Sequence, residues 1–159
     1  MIKGGKPVVL VVEDDEPIRN LITTTLEMEK YKFDTAQNGS QAIMLAAANN
    51  PDIILMDEPT NHLDYGNQMR MMKMIMKLAG KGFGILMTSH MPDHVLLLEG
   101  EVGILNDEGE FITGKAADIM TEDNLSRLYR AKLDLVFMEE LNRKICICKD
   151  VCDDYRETV

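Results

Sequence analysis

Short runs of β-branched and aliphatic residues alternate with helical patterns along the chain, and this alternation limits the possible folds more than any other feature. Pro7 to Val12 (PVVLVV) and Asp52 to Met56 (DIILM) are almost wholly apolar, as strands buried on both faces of a parallel sheet are. Apolar residues recur at helical spacing after the first run, where Asp15 and Pro17 are suited to begin a helix. The pattern predicts an α/β fold around a mainly parallel sheet.

The later part of the chain changes from this alternation to hairpins. The turn sequence Asn106 to Gly109 (NDEG) favours antiparallel pairing of the segments on either side of it. A second hairpin is predicted between the last two strands, which end at Met138 and Cys148. The remaining strands are predicted at Tyr31 to Ala36, Phe83 to Met87, Glu101 to Leu105, Glu110 to Thr113, Asp134 to Met138 and Arg143 to Cys148. A Met-rich helix is predicted from about Tyr65 to Ala79, with a core stripe of Met69, Met72, Ile75, Met76 and Ala79.

The charge balance limits the partners of this protein. Lys and Arg number 17 against 27 Asp and Glu, and the resulting net charge of -10 opposes binding to phosphate backbones and anionic lipid. No apolar run reaches the roughly 18 residues of a membrane span, and the first residues lack the apolar core of a signal peptide. The Cys residues, Cys146, Cys148 and Cys152, argue against a disulfide framework. We expect a cytoplasmic protein that binds neither nucleic acid nor membranes.

Polar side chains follow three of the predicted parallel strands, at the point where each strand ends. The carboxyl ends of parallel strands share one edge of a sheet, so these groups are expected to lie close together. Carboxylates brought together repel one another and favour a hard cation such as Mg²⁺. The alternative is that these acids only cap helices. The residues are Glu13 and Asp14, then Asp57 and Glu58, then Thr88, Ser89 and His90.

Residues 7 to 57 resemble the receiver domain of bacterial response regulators. The likeness is carried by VVLVVEDDEPIRNLI, AQNGSQAI and PDIILMD. The resemblance implies that Glu13 and Asp14 hold Mg²⁺, that Asp57 accepts a phosphoryl group, and that Thr88 contacts that group. The Lys that such domains place after strand five is missing, because Asn106 and Asp107 stand there. Phosphorylation of Asp57 would therefore lack its fixed cation.

Residues 53 to about 148 resemble the second half of an ABC transporter ATP-binding subunit of the iron-siderophore or cobalamin type. The likeness is carried by IILMDEPTNHLD, ILMTSHMPDH and TEDNLSRLY. The resemblance implies that Asp57 lies near Mg²⁺, Glu58 activates water and His90 senses the γ-phosphate. The Gly-rich loop G-x-x-x-x-G-K-[ST] and the signature motif are absent, because Gly4-Gly5-Lys6 precedes a strand. No nucleotide is therefore expected as a cofactor.

Two likenesses that meet inside one strand indicate a chimera, engineered or recombined. We expect one α/β domain over residues 1–159, with a receiver-like half (1–57), an ABC-like half (58–148) and an acidic tail (149–159). The resemblances favour a three-layer sandwich with a five-stranded sheet in the flavodoxin-like order 2-1-3-4-5, plus C-terminal β-hairpins. Two alternatives for strand four stay open, pairing with the C-terminal hairpin or with a second chain, and either could make a homodimer.

The function expected from these observations is that of a folded scaffold without efficient catalysis. It keeps a vestigial set of Asp57, Glu58, Thr88 and His90, and a weak Mg²⁺ site of Glu13, Asp14 and Asp57, and it requires no partner. One alternative is a Mg²⁺-dependent phosphoacceptor at Asp57. A second is an ATP-binding fragment without its phosphate loop. His62 and His94 are interpreted as solvated side chains, and the Cys residues as small apolar ones.

Overall fold

The computed structural model describes residues 6–106 and 109–149. The chain divides into two compact units, the first ending at His90 and the second beginning at Met91. The prediction of a single domain over residues 1–159 stays a prediction, and each unit is described by itself. The acidic tail lies outside the described residues, apart from Lys149.

Within residues 6–90, the first unit contains four strands and three helices. They are β1 (Val8–Val12), α1 (Glu16–Met28), β2 (Lys32–Ala36), α2 (Gly39–Asn49), β3 (Ile53–Met56), α3 (Tyr65–Gly80) and β4 (Gly84–Met87). The described part of the second unit, residues 91–106 and 109–149, contains four strands, three α-helices and a short 3-10 helix. They are α4 (Pro92–Leu98), β5 (Glu101–Leu105), β6 (Phe111–Lys115), α5 (Ala116–Ile119), α6 (Glu122–Tyr129), β7 (Leu133–Met138), the 3-10 helix (Glu139–Leu141) and β8 (Arg143–Cys148).

The strands of the first unit form one parallel sheet in the order β2-β1-β3-β4. β1 lies in the interior of this sheet, and Leu10 and Val11 are almost completely buried. Right-handed crossovers place α1 on one face and α2 and α3 on the other. On β3, Ile54 and Met56 are fully buried and their neighbours are half-buried, so one face is better covered than the other. The predicted α/β class with a parallel sheet is confirmed.

Side-chain oxygens begin each helix of this unit. Asp15, Asn38 and Asp64 accept hydrogen bonds from the backbone N–H groups three residues further on. The predicted core stripe of α3 is only partly correct. Met72 and Ile75 are buried, but Met76 is 47% exposed and Leu78 takes its place in the core.

The predicted fifth strand of the parallel sheet is wrong. β5 pairs with β6 in an antiparallel two-stranded sheet, and β7 pairs with β8 in another. The physical reason lies in the connection between β5 and β6, where Asn106 N–H donates to the Glu110 carbonyl and Gly109 has a φ of +81°. A tight turn makes the neighbouring segment the nearest partner and keeps the entropic cost of closing the loop low, which favours the hairpin. The predicted C-terminal hairpins are confirmed.

The second unit has its own small core. Ala116, Met120 and Leu125 are buried, with partly buried apolar side chains from α4, β5, β7 and β8 packed against them. His94 is also buried, with 3% of its surface exposed, so its interpretation as a solvated residue is wrong. Burial lowers the pKa of His94 from its ordinary value of 6.5, and the charge of Asp93 opposes this shift in part. Burial in the second unit therefore favours the neutral form of the His94 imidazole.

Acidification is expected to destabilise the second unit through His94. Because the folded-state pKa lies below the unfolded-state value, the stabilisation is complete above pH 6.5 and is lost as the pH falls toward the folded-state pKa. Urea unfolding from about pH 7.5 down to pH 5, read from backbone amide signals of residues 91–149, measures this loss. His94→Gln should flatten the pH dependence, whereas the exposed His62→Gln should keep it. An unchanged slope in His94→Gln would contradict the assignment.

Candidate functional site

An acidic cleft of about 630 Å³ lies at the carboxyl edge of the sheet in the first unit. The sheet register explains how the side chains at this edge are aligned. Val12 is paired with Met56, and Met56 is paired with Met87, so the residues after these three strands form one row. That row consists of Glu13, Asp57 and Thr88. The cleft is lined by Glu13, Asp14, Asp57, Glu58, Asn61 and His62, among others.

Glu13 is the buried carboxylate of this cleft. Only 7% of its surface is exposed, and its Oε1 accepts a hydrogen bond from the backbone N–H of Asp15 at 3.0 Å. Burial raises the pKa of Glu13, and the charges of Asp14 and Asp57 raise it further, although the hydrogen bond from Asp15 acts in the opposite direction. Arg19 donates to the carbonyls of Glu13 and Asp14. These hydrogen bonds direct its guanidinium to the backbone instead of the carboxylates.

Thr88 joins the ends of β3 and β4. Its Oγ1 donates to Asp57 Oδ1 at 2.5 Å and accepts from the Glu58 N–H at 2.9 Å, while its own N–H donates to the Met56 carbonyl. One hydroxyl therefore fixes both the Asp57 carboxylate and the start of the following loop. The prediction that these residues meet at the sheet edge is supported by this geometry.

Glu58 is held in an unusual backbone conformation. Its φ is +39°, in the left-handed region that residues with a Cβ seldom adopt. Its carboxylate accepts from Asn61 Nδ2 at 3.0 Å and lies 2.5 Å from His90 Nε2. The His90 side chain is 80% exposed, so this pair adds little stability. The hydrogen bond from Asn61 to Glu58 was not predicted from the sequence.

The oxygen-rich lining of the cleft suits Mg²⁺ in its chemistry. Mg²⁺ is usually held by one or two carboxylates together with waters. Within residues 6–106 and 109–149, however, no three His, Cys, Asp or Glu side chains are arranged as a ready metal site. The Asp57 carboxylate is turned toward Thr88. The Mg²⁺ site of Glu13, Asp14 and Asp57 stays a prediction, and it requires waters or a change in the Asp57 side chain.

One sequence segment comes close to a phosphate-binding loop. Gly109, Gly114 and Lys115 have the spacing of that motif, and Ala116 replaces its hydroxyl residue. In the structure, Phe111–Lys115 is strand β6, paired residue by residue with β5. Strand amides that donate to a neighbouring strand cannot surround a phosphate. This segment therefore supplies no phosphate cradle.

The surroundings of Cys146 and Cys148, the cysteines that the structure describes, indicate a structural role. The Cys146 N–H donates to Asp93 Oδ1 at 2.9 Å, and burial raises the pKa of the Cys146 thiol, with Asp93 and Cys148 adding to the shift. A raised pKa keeps the thiol protonated, which disfavours both metal binding and nucleophilic attack. Cys152 lies outside the described residues.

Comparison with protein families gives a match to the response regulator receiver domain over residues 9–95. The chain belongs to this family. The matched segment covers the whole acidic cleft and continues past residue 57, where the sequence resemblance was expected to end. No helix among the described residues is long and apolar enough to cross a membrane.

The later part of the chain is similar to ABC transporter ATP-binding proteins. An uncharacterized ABC transporter ATP-binding protein of Haemophilus influenzae is 27% identical over 119 residues, covering 74% of this chain and 45% of that protein. The iron(3+)-hydroxamate import ATP-binding protein FhuC of Bacillus subtilis is 26% identical over 118 residues, covering 74% and 44%. This chain thus spans less than half the length of either relative.

A solved structure supports the same likeness. A transporter described as metal-chelate type ABC, in an inward-facing conformation, is 27% identical with a TM-score of 0.59, and the match covers 67% of this chain and 43% of that chain. Both predicted resemblances, to receiver domains and to ABC ATP-binding proteins, are confirmed. The chain combines a receiver domain with ABC-like sequence.

Neutralising Asp57 is expected to stabilise the fold in the absence of metal, because it removes one of several like charges around the buried Glu13. Asp57→Asn should raise the melting temperature in EDTA. For a dissociation constant of about 1 mM, 10 mM Mg²⁺ should stabilise the parent protein by about 1.4 kcal/mol, a shift of roughly 3 to 6 °C. Asp57→Asn should reduce that shift, and Glu140→Gln, an exposed acid of the second unit, should not. Equal responses from both variants would mean that the carboxylates do not share a site.

Proposed function

We propose that this protein is a chimeric α/β scaffold without efficient catalysis, whose acidic cleft binds Mg²⁺ weakly. The observation that carries the proposal is the row of Glu13, Asp57 and Thr88 across three neighbouring strands. It preserves the acidic edge of a receiver domain, while the fixed Lys is missing. The chimeric origin, by recombination or engineering, is part of the proposal, as is a cytoplasmic location without nucleic-acid or membrane partners.

Burial and charge support the cation part of the proposal. The Glu13 carboxylate has a raised pKa because it is buried beside Asp14 and Asp57, so a cation placed there would stabilise its charged form. Glu13, Asp14 and Asp57 are the residues that would hold Mg²⁺, and the ion would there neutralise charge that develops on a bound oxyanion. The proposal is also compatible with a homodimer. Mg²⁺ binding at the acidic cleft does not require one.

The second candidate function is slow phosphoryl acceptance at Asp57, and the hydrogen bond from Thr88 favours it. The acceptor oxygen would attack the phosphorus of a small donor such as acetyl phosphate, forming a P–O bond as the bond to the acetate oxygen breaks and acetate leaves. Thr88 would then donate its hydroxyl to an oxygen of the transferred group. Since the described lining of the cleft includes no Lys, negative charge in the transition state would lack a fixed cation.

Phosphorylation of Asp57 is therefore expected to be slow and incomplete. Incubation with acetyl phosphate and Mg²⁺, followed by intact mass measurement, should give a minor fraction of singly modified protein after an hour. Asp57→Asn should abolish the modification, and Asp118→Asn, an exposed acid of the second unit, should leave it unchanged. Complete modification within minutes would show that the missing Lys matters less than proposed.

ATP is expected to bind no tighter than on the order of 1 mM, because the Gly-rich phosphate loop is missing from the sequence and the segment that comes close to it is strand β6. Titration calorimetry with MgATP measures the affinity, and release of inorganic phosphate measures hydrolysis, which should equal that of buffer. Lys115→Gln tests the segment that resembles a phosphate loop and should change neither value. Micromolar binding would refute this prediction, and its weakening by Lys115→Gln would place the phosphates at that segment.

A further inference from the structure

The parallel sheet of the first unit ends at a strand with one unpaired edge. β4 is the last strand in the order β2-β1-β3-β4, and among the described residues its one strand partner is β3. An edge strand presents a row of backbone N–H and C=O groups with which a further strand can pair. The outer edge of β4 therefore offers a place for one more strand.

Backbone groups alternate in direction along β4. The N–H groups of Gly84 and Thr88 donate to carbonyls at either end of β3. In a parallel ladder the residues between them point to the opposite side, so Ile85 and Met87 direct their N–H and C=O groups to the outer edge. Within the part of the chain that the structure describes, no group accepts a hydrogen bond from either of these N–H groups.

We propose that a second copy of this chain pairs with β4, so that two β4 strands lie antiparallel and the two parallel sheets join. A two-fold axis perpendicular to the joined sheet relates antiparallel strands, and two-fold dimers are the commonest symmetric assemblies. This dimer goes beyond the proposed Mg²⁺-binding scaffold and does not depend on bound Mg²⁺.

The unpaired backbone groups select one register for the dimer. When Ile85 of each copy lies opposite Met87 of the other, each such pair exchanges both of its N–H···O=C hydrogen bonds. A shift in either direction would instead require Phe83 or Ser89. The Phe83 N–H already donates to the Leu78 carbonyl, and Ser89 already has an interaction partner. The register of Ile85 opposite Met87 therefore uses the unpaired groups alone.

The exposed side chain in the middle of β4 fits the same register. Leu86 is 60% exposed. In the proposed dimer it lies on the two-fold axis opposite its own copy, at a position without backbone hydrogen bonds, where side chains on neighbouring strands come closest. Pairing therefore buries an apolar side chain that the single chain leaves in contact with water.

Charge favours the antiparallel direction over the parallel one. The carboxyl end of β4 lies at the sheet edge that carries Glu13 and Asp57, whereas its amino end follows Lys81, an exposed cation after α3. Parallel pairing would place two acidic edges side by side. Antiparallel pairing places each acidic edge beside the cationic end of the other strand. The remaining repulsion between two acidic chains is screened beyond about 8 Å at 0.15 M salt.

Sedimentation of the full chain in EDTA, at physiological salt and increasing protein concentration, measures the self-association without any contribution from Mg²⁺. We expect a dissociation constant on the order of 100 µM, because two short strands bury less than the roughly 1,200 Å² of a standard interface. Hydrogen exchange of backbone amides locates the contact. Protection of Ile85 and Met87 should increase with protein concentration, while that of Gly84 and Leu86, which face β3, should stay constant.

Two matched variants separate pairing at β4 from general stickiness. Leu86→Lys should weaken the dimer by at least about tenfold, because it removes the apolar contact and places like charges at the axis. Leu21→Lys changes a side chain on α1 that is 70% exposed, and it should associate like the parent. Both variants should keep the melting temperature of the parent at low concentration, because neither side chain is buried.

The proposal is overturned if the chain stays monomeric over the whole concentration range, or if Leu86→Lys weakens association no more than Leu21→Lys does. It is also overturned if Ile85 and Met87 are protected equally at every concentration. That result would identify a segment of the same chain, and not a second copy, as the partner of β4.

Discussion

Burial of β1 inside a parallel sheet is the constraint on which the first unit depends. A parallel strand with neighbours on both sides ends at the same edge of the sheet as they do. Its apolar residues fix the register, because a shift by one residue would move every side chain to the opposite face of the sheet. Val12, Met56 and Met87 are fixed side by side in this way. The register then also fixes the position of the polar residue after each strand. The like charges at that edge are a consequence of how the apolar core packs.

The side chain of Thr88 links the ends of β3 and β4 at this edge of the sheet. A single hydroxyl contacts the carboxylate that follows β3 and the amide one residue further along the chain. Receiver domains and ABC ATP-binding proteins both share sequence with this region of the chain.

The sequence predicted the features that depend on local pattern. The apolar runs of β1 and β3 indicated buried parallel strands, and the acids after them indicated where the cleft lies. The predicted position of β5 was wrong, because pairing across a tight turn competes with pairing across the sheet and only the three-dimensional fold decides between them. The burial of His94 was missed because its helix has seven residues, too few for a reliable periodicity. The left-handed backbone of Glu58 leaves no trace in residue type.

Helix α1 illustrates how unevenly stability is distributed in the first unit. None of its residues is buried, and Leu21 and Met28 are at least 70% exposed, whereas α3 buries three residues against the other face of the sheet. A helix with little buried apolar area can detach at a lower free energy than the whole unit needs to unfold. Its amide protons would then exchange with solvent through local opening, while those of β1 beneath it would exchange only on global unfolding. Helix α1, which follows Glu13 and Asp14, is thus the first of the helices on this sheet to detach.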